Sequence, residues 1–329
     1  MRPLKLLLAR PRGFCAGVER AIDAVIATLE LVGPPVYVRR EIVHNRHVLD
    51  GLRARGAVFV DEIEDAPRGS TLVLSAHGVA PAIYARAHAH GIRVIDATCP
   101  LVTKVHLEAL RFARQQRPIF LVGHRAHEEV VGTSGYAPGQ VQVVSSADEA
   151  ERVEAPSGVA PAAITQTTLS VDDTREIIEV LRRRFPGLIT PAREDICYAT
   201  QNRQAAVGAI ARRAEVVLVV GSANSSNSNR LREVAEAAGA RAFLVQDAAD
   251  VRPEWIAAAT CVGLTAGAST PEYLVDEVIA LLRESAEVEI ETVEVASEDV
   301  NFAPPAALAR MAAARCTTAP GAETHKELV

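Results

Sequence analysis

Residues 4–18 read LKLLLARPRGFCAGV, which is an apolar run, a turn that holds a cysteine, and the start of a helix. The run Leu4–Ala9 is apolar except for Lys5, as expected of a parallel strand that is covered on both faces. Cys15 stands in the turn, and Val18–Leu31 has the spacing of a helix. The stretch therefore predicts a strand–turn–helix unit with a thiol at the carboxyl end of its strand.

The same order recurs twice further along the chain. Val94–Asp96 is followed by Cys99-Pro100-Leu101, and Asp195-Ile196-Cys197 leads into Gln201–Arg213. The three cysteines are spaced by 84 and 98 residues. Three similar α/β units would fit the chain, and each would offer one cysteine at a strand's carboxyl end, where open parallel sheets bind their ligands.

The rest of the chain alternates short apolar runs with helical stretches, which predicts the α/β class with mostly parallel sheets. The alternation of Glu with Val and Ile over Ser285–Val295 predicts an edge strand, and we expect a poorly ordered end from Ala306 onward. Further strands are predicted at Val36–Val38, Thr71–Ser75, Ile119–Gly123, Val141–Val144, Ala163–Gln166, Val216–Gly221, Ala242–Val245 and Val262–Ala266, and further helices at Leu101–Arg114, Asp172–Phe185, Arg230–Ala238 and Pro271–Leu282.

The composition excludes several classes of protein. The 329 residues are 49% hydrophobic and 23% charged with a net charge of −6, so no basic footprint for nucleic acid is present. No apolar run approaches the ~20 residues that span a bilayer. The first apolar run is too short for a signal-peptide core and is followed at once by Arg10 and Arg12. We therefore expect a cytoplasmic protein.

The five cysteines are an odd number in a reducing compartment, which favours metal binding or catalysis over disulfides. A helix start stabilises a thiolate, so we expect lowered thiol pKa values at Cys15, Cys99 and Cys197. Three thiolates leave one metal position open for a substrate, but zinc stays possible although no close C-x₂₋₄-C pair occurs. Cys261 is expected in the core, and Cys316 receives no role.

Polar side chains also follow several strands. His44, His77 and His127 suit a shared pocket for an anion, and Gly221–Asn229 and Thr265–Pro271 could cradle it with hydroxyl, amide and helix N–H groups. A capped loop is the alternative for the Ser/Asn run. Glu129 is the candidate proton donor. Neither a Walker-type lysine motif nor a G-x-G-x-x-G after a strand occurs.

These residues resemble one family, the 4-hydroxy-3-methylbut-2-enyl diphosphate reductases (the LytB family). The resemblance covers roughly Leu4 to Leu282, with all its motifs in order. It is carried by Gly13-Phe14-Cys15-Ala16-Gly17-Val18, Asp96-Ala97-Thr98-Cys99-Pro100, Gln166-Thr167-Thr168-Leu169-Ser170, Ser225-Ser226-Asn227-Ser228-Asn229-Arg230-Leu231 and Thr265-Ala266-Gly267-Ala268-Ser269.

The resemblance implies a 4Fe–4S cluster, held by Cys15, Cys99 and Cys197 at the centre of three pseudo-symmetric α/β domains. We place their boundaries at 16–98, at 99–195, and at 1–15 with 196–284, followed by a partly disordered tail over 285–329. The chain is expected to be a monomer or a homodimer.

The resemblance also implies a reaction and its residues. Two electrons, from a ferredoxin or flavodoxin, and two protons remove the allylic hydroxyl of the substrate and yield isopentenyl and dimethylallyl diphosphates, the last step of the non-mevalonate pathway. The substrate alcohol binds the open iron, Glu129 donates the proton and Thr167 lies beside the hydroxyl. The diphosphate pocket maps onto His44, His77, His127, Ser225, Ser226, Asn227 and Ser269.

Two other readings stay open at this point. A three-cysteine cluster dehydratase resembling quinolinate synthase would share the open iron but would need no diphosphate pocket. A zinc-stabilised binding protein would need no open position. Glu128 brings a negative charge next to the expected anion site, and we expect its side chain to point outward.

Overall fold

The computed structural model describes residues 2–156 and 158–318, and side chains as far as residue 314. The strands are β1 Arg2–Arg10, β2 Val36–Arg39, β3 Ala57–Val60, β4 Thr71–Leu74, β5 Arg93–Asp96, β6 Ile119–Val122, β7 Val141–Val144, β8 Ala162–Thr165, β9 Val216–Val220, β10 Arg241–Val245, β11 Cys261–Ala266 and β12 Ala286–Glu294. The helices are α1 Ala16–Val32, α2 Arg46–Ala54, α3 Pro81–Ala89, α4 Pro100–Arg114, α5 Glu128–Ser134, α6 Ala147–Ala150, α7 Val171–Arg184, α8 Tyr198–Ala211, α9 Ser226–Ala237, α10 Pro253–Ile256, α11 Glu272–Ser285 and α12 Ala306–Thr318.

These strands form three parallel sheets, which confirms the predicted fold class. The orders are β3-β2-β4-β5, β7-β6-β8 and β10-β9-β11-β1-β12. In each sheet the strand that comes first in its unit lies between the second and the third, and all paired strands run parallel. Three units of one topology therefore stand side by side.

In each unit, a further strand or bridge pairs with the third strand and leads to one of the three spaced cysteines. β5 lies beside the third strand of its sheet and leads to Cys99, and β1 lies beside β11 and leads to Cys15. In the three-stranded sheet the equivalent position is reduced to one parallel bridge, between Ala162 and Ile189, ahead of Cys197. The repeated topology thus delivers each thiol to the same place in its unit.

The sheet interiors explain why the central strands have continuous apolar sequences. Every residue of β6 and of β9 is buried. Helices cover both faces of such strands, so no polar alternation is possible there. Each sheet has its own apolar core, and the candidate site residues lie in the loops at the carboxyl ends of the strands.

The ends of the chain differ in part from expectation. β12 is the predicted edge strand, paired with β1 over its whole length. The expected poor order from Ala306 is wrong for residues 306–318, because α12 forms there and buries Leu308 against the cluster that covers α1. Residues 319–329 lie outside the described part of the chain, and the domain boundaries stay a prediction.

Several shorter elements were not predicted, namely β3, α2, α3, α5, α6 and α10. Four residues for β3 and seven for α5 are too few to show a clear period in the sequence. Within the described residues, no helix is long and apolar enough to cross a membrane.

The α4 helix offers a test of the core. Phe112 is 1% exposed and Leu107 on the same helix is 58% exposed. We expect Phe112→Ala to lower the free energy of unfolding by about 3–5 kcal/mol, because it leaves a cavity. Leu107→Ala should change it by about 0.5 kcal/mol or less. Urea unfolding followed by circular dichroism measures both, and equal midpoints would contradict the assignment of Phe112 to the core.

Candidate active site

The three spaced cysteines stand at equivalent places, each immediately before a helix. Cys15 precedes α1, Cys99 precedes α4 and Cys197 precedes α8. All three line one cavity of about 100 Å³. The structure therefore brings together thiols that lie far apart in sequence.

Each cysteine amide is held by the loop after the third strand of its unit. The N–H of Cys15 donates to the carbonyl of Ala268 (3.3 Å), that of Cys99 to Ala76 (3.0 Å), and that of Cys197 to Thr167 (3.1 Å). Ser269 and His77 come directly after two of these acceptors, and Thr167 is itself the third. One repeated hydrogen bond thus sets the thiols beside the polar loops.

The surroundings of the thiols fit a multi-iron group. A Cβ on Gly17 would lie 2.7 Å from the Cys99 Sγ and 3.9 Å from the Cys15 Sγ, so the glycine leaves room for both sulfurs. Within the described residues, no three His, Cys, Asp or Glu side chains are arranged to hold a single metal ion. Thiols spread around one cavity suit the separate irons of a cluster better than one tetrahedral zinc.

Burial dominates the acidity of two thiols, contrary to the expectation from their helix starts. Burial raises the pKa of Cys99 to about 12, and the N–H groups of Leu101 and Val102 only partly oppose it. Burial, with the nearby charge of Cys15, also raises the pKa of Cys197 to about 11. The prediction of lowered pKa values is therefore wrong for these two in the metal-free chain. Metal binding must displace their protons.

The three predicted histidines meet at the same cavity. The rings of His44 and His77 are stacked with centroids 4.2 Å apart. The His127 ring lies edge-on to both, at 5.8 Å and 5.7 Å. This cluster offers several ring nitrogens to one ligand.

A carboxylate supports each of the two stacked histidines. The Nδ1 of His44 lies 2.7 Å from Oε2 of Glu41, and the Nδ1 of His77 lies 3.6 Å from Oε2 of Glu128. Glu128 also pairs with Arg40 at 3.3 Å, so the expectation that it points outward is wrong. Although burial raises the pKa of Glu128, the nearby charges of His77, Arg40 and His44 outweigh burial and lower the pKa to about 2.

The His127 ring is held differently. Its Nδ1 accepts the N–H of Glu129 at 3.2 Å, so the neutral ring carries its proton on Nε2. Burial, together with repulsion from His77 and His44, lowers the pKa of His127 to about 3. The ring is therefore a neutral donor in the ligand-free chain.

The Ser/Asn run serves both capping and the cavity. Ser225 caps α9 by accepting the N–H of Ser228. The Oδ1 of Asn227 accepts the N–H of Ala268 at 2.9 Å. Its Nδ2 is buried and has no hydrogen-bond partner among the described residues. A buried amide without a partner is costly, so this donor is suited to a ligand.

Hydroxyl groups of the predicted set join the units at the cavity. Ser226 Oγ donates to the carbonyl of Thr168 at 3.1 Å, and Ser269 Oγ donates to the carbonyl of His44 at 2.9 Å. All the predicted substrate-binding residues line the cavity with the three cysteines, as do Glu129 and Thr167.

Glu129 and Thr167 form one unit through two hydrogen bonds. Oε1 of Glu129 accepts the Thr167 N–H at 2.6 Å, and Oε2 lies 2.9 Å from the Thr167 Oγ1. Glu129 is 2% exposed. Burial raises its pKa to about 7, although the Thr167 hydrogen bonds oppose the change. A carboxyl with this pKa holds a proton near neutral pH.

Sequence reasoning missed two side chains of the site. Glu41 supports His44, and Thr200 accepts a hydrogen bond from the Cys197 Sγ at 3.2 Å. Both lie three residues from the residue they contact, a spacing that could have identified them. His124, by contrast, contacts Arg230 and does not line the cavity. Cys261 begins β11 and is also absent from the cavity, while Cys316 lies beyond the described side chains.

Comparison with known proteins gives consistent results. The family model described as "LytB protein" matches residues 6–283. The 4-hydroxy-3-methylbut-2-enyl diphosphate reductase of Acidothermus cellulolyticus is 55% identical over 94% of this chain and 92% of its own length. The Plasmodium falciparum E-1-hydroxy-2-methyl-but-2-enyl-4-diphosphate reductase structure has a TM-score of 0.93 at 35% identity, covering 96% of this chain and 99% of its own. A structure of the reductase described as the terminal enzyme of the non-mevalonate pathway has a TM-score of 0.60 at 29% identity, covering 85% and 99%.

The pKa of Glu129 predicts a pH-dependent stability. Its folded pKa of about 7 lies above the ordinary value of 4.5, so the ionised form penalises folding. The wild-type chain should lose stability as pH rises from about 4.5 to about 7, by a total on the order of 3 kcal/mol. Glu129→Gln mimics the neutral carboxyl and should not lose it.

Urea unfolding of the ligand-free chain between pH 5 and pH 8 measures this difference. Glu149→Gln is the control, because the pKa of Glu149 is lowered and its carboxylate stays ionised over the whole range. A gap between wild type and Glu129→Gln that does not change with pH would show that Glu129 titrates normally.

Proposed function

The chain belongs to the LytB protein family, and we infer that it reduces 4-hydroxy-3-methylbut-2-enyl diphosphate to isopentenyl and dimethylallyl diphosphates. The observation that carries this inference is one cavity lined both by three thiols and by a cluster of anion-binding side chains. The reaction needs both halves, because it breaks a C–O bond in a molecule that carries a diphosphate.

The cofactor is a 4Fe–4S cluster, as the family uses, and we assign its ligands to Cys15, Cys99 and Cys197. When bound, such a cluster supplies electrons and one Lewis-acidic iron without a protein ligand. Gly17 supports the assignment, since any side chain there would meet the Cys99 sulfur.

The diphosphate is bound by hydrogen-bond donors that line the same cavity as the thiols. His127 offers Nε2–H and Asn227 offers Nδ2, with the hydroxyls of Ser225, Ser226 and Ser269 near them. His44 is hydrogen-bonded to Glu41 through Nδ1, and the Nδ1 of His77 faces Glu128 at 3.6 Å, so both rings have Nε2 for the ligand. A net charge of −6 is no obstacle, because these donors act locally and in a partly buried site.

The leaving hydroxyl receives its proton from Glu129. Its Oε1 accepts the Thr167 amide, so the carboxyl proton belongs on Oε2, which faces the Thr167 Oγ1. Thr167 can accept that proton and donate its own to the substrate oxygen. Binding of the diphosphate, which is remote from the reacting carbon, positions that oxygen for proton transfer.

We also propose the setting of the reaction. A ferredoxin or flavodoxin supplies the electrons, and the chain acts in the cytoplasm as a monomer or homodimer.

An anaerobic assay tests the function. The purified chain is reconstituted with iron and sulfide and mixed with reduced methyl viologen and 4-hydroxy-3-methylbut-2-enyl diphosphate. We expect substrate-dependent oxidation of the dye and both isopentenyl products by mass spectrometry. Isopentenyl diphosphate, which lacks the hydroxyl, is the control and should oxidise no dye. Absence of substrate-dependent oxidation by cluster-loaded protein would refute the assignment.

Glu129→Gln tests the proton donor. The variant should keep the visible absorbance of the cluster and bind substrate, while turnover falls by about 10²–10⁴-fold, the usual size of a general-acid contribution. Glu149→Gln, in a helix of the same unit, should keep wild-type turnover. Near-normal turnover in Glu129→Gln would remove Glu129 from this role.

A further inference from the structure

The helix after each cluster cysteine carries one cation, five or six residues beyond the thiol. Arg20 follows Cys15 on α1, Lys104 follows Cys99 on α4, and Arg203 follows Cys197 on α8. None of the three entered the binding or proton-transfer argument.

Each cation donates to carbonyls in the loop just before the next cysteine. Arg20 Nη1 donates to Thr98 at 2.9 Å, directly ahead of Cys99. Lys104 Nζ donates to the carbonyls of Arg193 and Glu194, both at 2.7 Å, ahead of Cys197. The Arg203 Nη2 donates to Gly13 at 2.9 Å and to Phe14 at 3.0 Å, ahead of Cys15. The contacts therefore run in a closed circle through all three units.

We propose that Arg20, Lys104 and Arg203 form a ring of positioning residues that fixes the three cysteine loops around the cluster and lowers the cost of its negative charge. This inference rests on the proposed cluster ligands. Each cation links the first helix of its own unit to the loop that precedes the next cysteine, so the three contacts together connect all three cysteine loops.

The burial of Arg203 supports a role beyond surface pairing. Arg203 is 0% exposed, and a buried guanidinium is tolerated only when its donors are satisfied. Glu298 supplies a carboxylate to it at 3.1 Å. Lys104 likewise pairs with Asp195 at 2.9 Å, and the Asp195 side chain is 2% exposed and also accepts the Thr165 N–H.

The three ring residues are positively charged, whereas a cluster with its thiolate ligands is negatively charged. Three thiolates bring three negative charges into a partly buried site, and reduction adds another. Lys104 and Arg203 offset the carboxylates of Asp195 and Glu298, so removal of either cation leaves one more uncompensated negative charge beside a cysteine loop and disfavours the reduced form. Loss of one cation should therefore make the midpoint potential more negative and the cluster easier to lose.

Lys104→Gln tests this, because Lys104 is partly exposed and the variant is expected to fold. Arg117→Gln is the matched control, since Arg117 is equally half-buried and donates to a loop carbonyl, Ala160 at 2.9 Å, away from the cysteines. Cluster-loaded proteins are compared by a dye-equilibrated redox titration, by the rate of absorbance loss to a chelator, and by unfolding of the cluster-free chains.

We expect Lys104→Gln to lose its cluster several-fold faster than wild type, with a more negative potential, and Lys104→Arg to restore both. Arg117→Gln should match wild type. Arg20→Gln, which removes one contact of the same ring, should reproduce the effect and replaces Lys104→Gln if that chain does not fold.

Wild-type potential and retention in both ring variants would overturn the inference while leaving the function intact. Equal changes in Lys104→Gln and Arg117→Gln would also overturn it, because the cation would then be only structural. A wild-type chain that takes up no cluster overturns the proposed function and this inference with it.

Discussion

Three amide hydrogen bonds, from Cys15, Cys99 and Cys197 to the loops after the third strands, are the contacts on which the site depends. They join the end of one strand to the end of its neighbour, which a parallel sheet brings to the same edge. Thiols, imidazoles and hydroxyls then face one cavity without any long loop. The sheet topology thus brings the candidate site side chains together at one cavity.

The sequence predicts the central strands well because burial on both faces leaves continuous apolar runs such as Val216–Val220. It also predicts the convergence of the polar strand ends, since that follows from parallel topology. It could not predict the orientation of Glu128, which depends on Arg40 and His77 from two other loops. Nor could it predict the acidity of Cys99, because local helix geometry and tertiary burial act in opposite directions.

Burial shifts the pKa values of two cavity side chains in opposite directions, and both end in their neutral form. It keeps Glu129 protonated near neutral pH, so that a carboxyl can act as an acid. It keeps His127 neutral, so that the ring donates from Nε2 without adding charge. Carboxylates behind His44 and His77 supply the complementary support. An anion site is thus built without a lysine, in a chain whose net charge is negative.

The position of β1 has a consequence for how the molecule is made. The first strand of the chain lies between β11 and β12, which come from beyond residue 260. During synthesis it is made more than 250 residues before either partner strand, so it cannot pair until β11 and β12 have also been made. Cys15 cannot reach its native setting before then, because the carbonyl that holds its amide belongs to Ala268. The three thiols can therefore be brought together only after the chain has been made at least as far as Ala268.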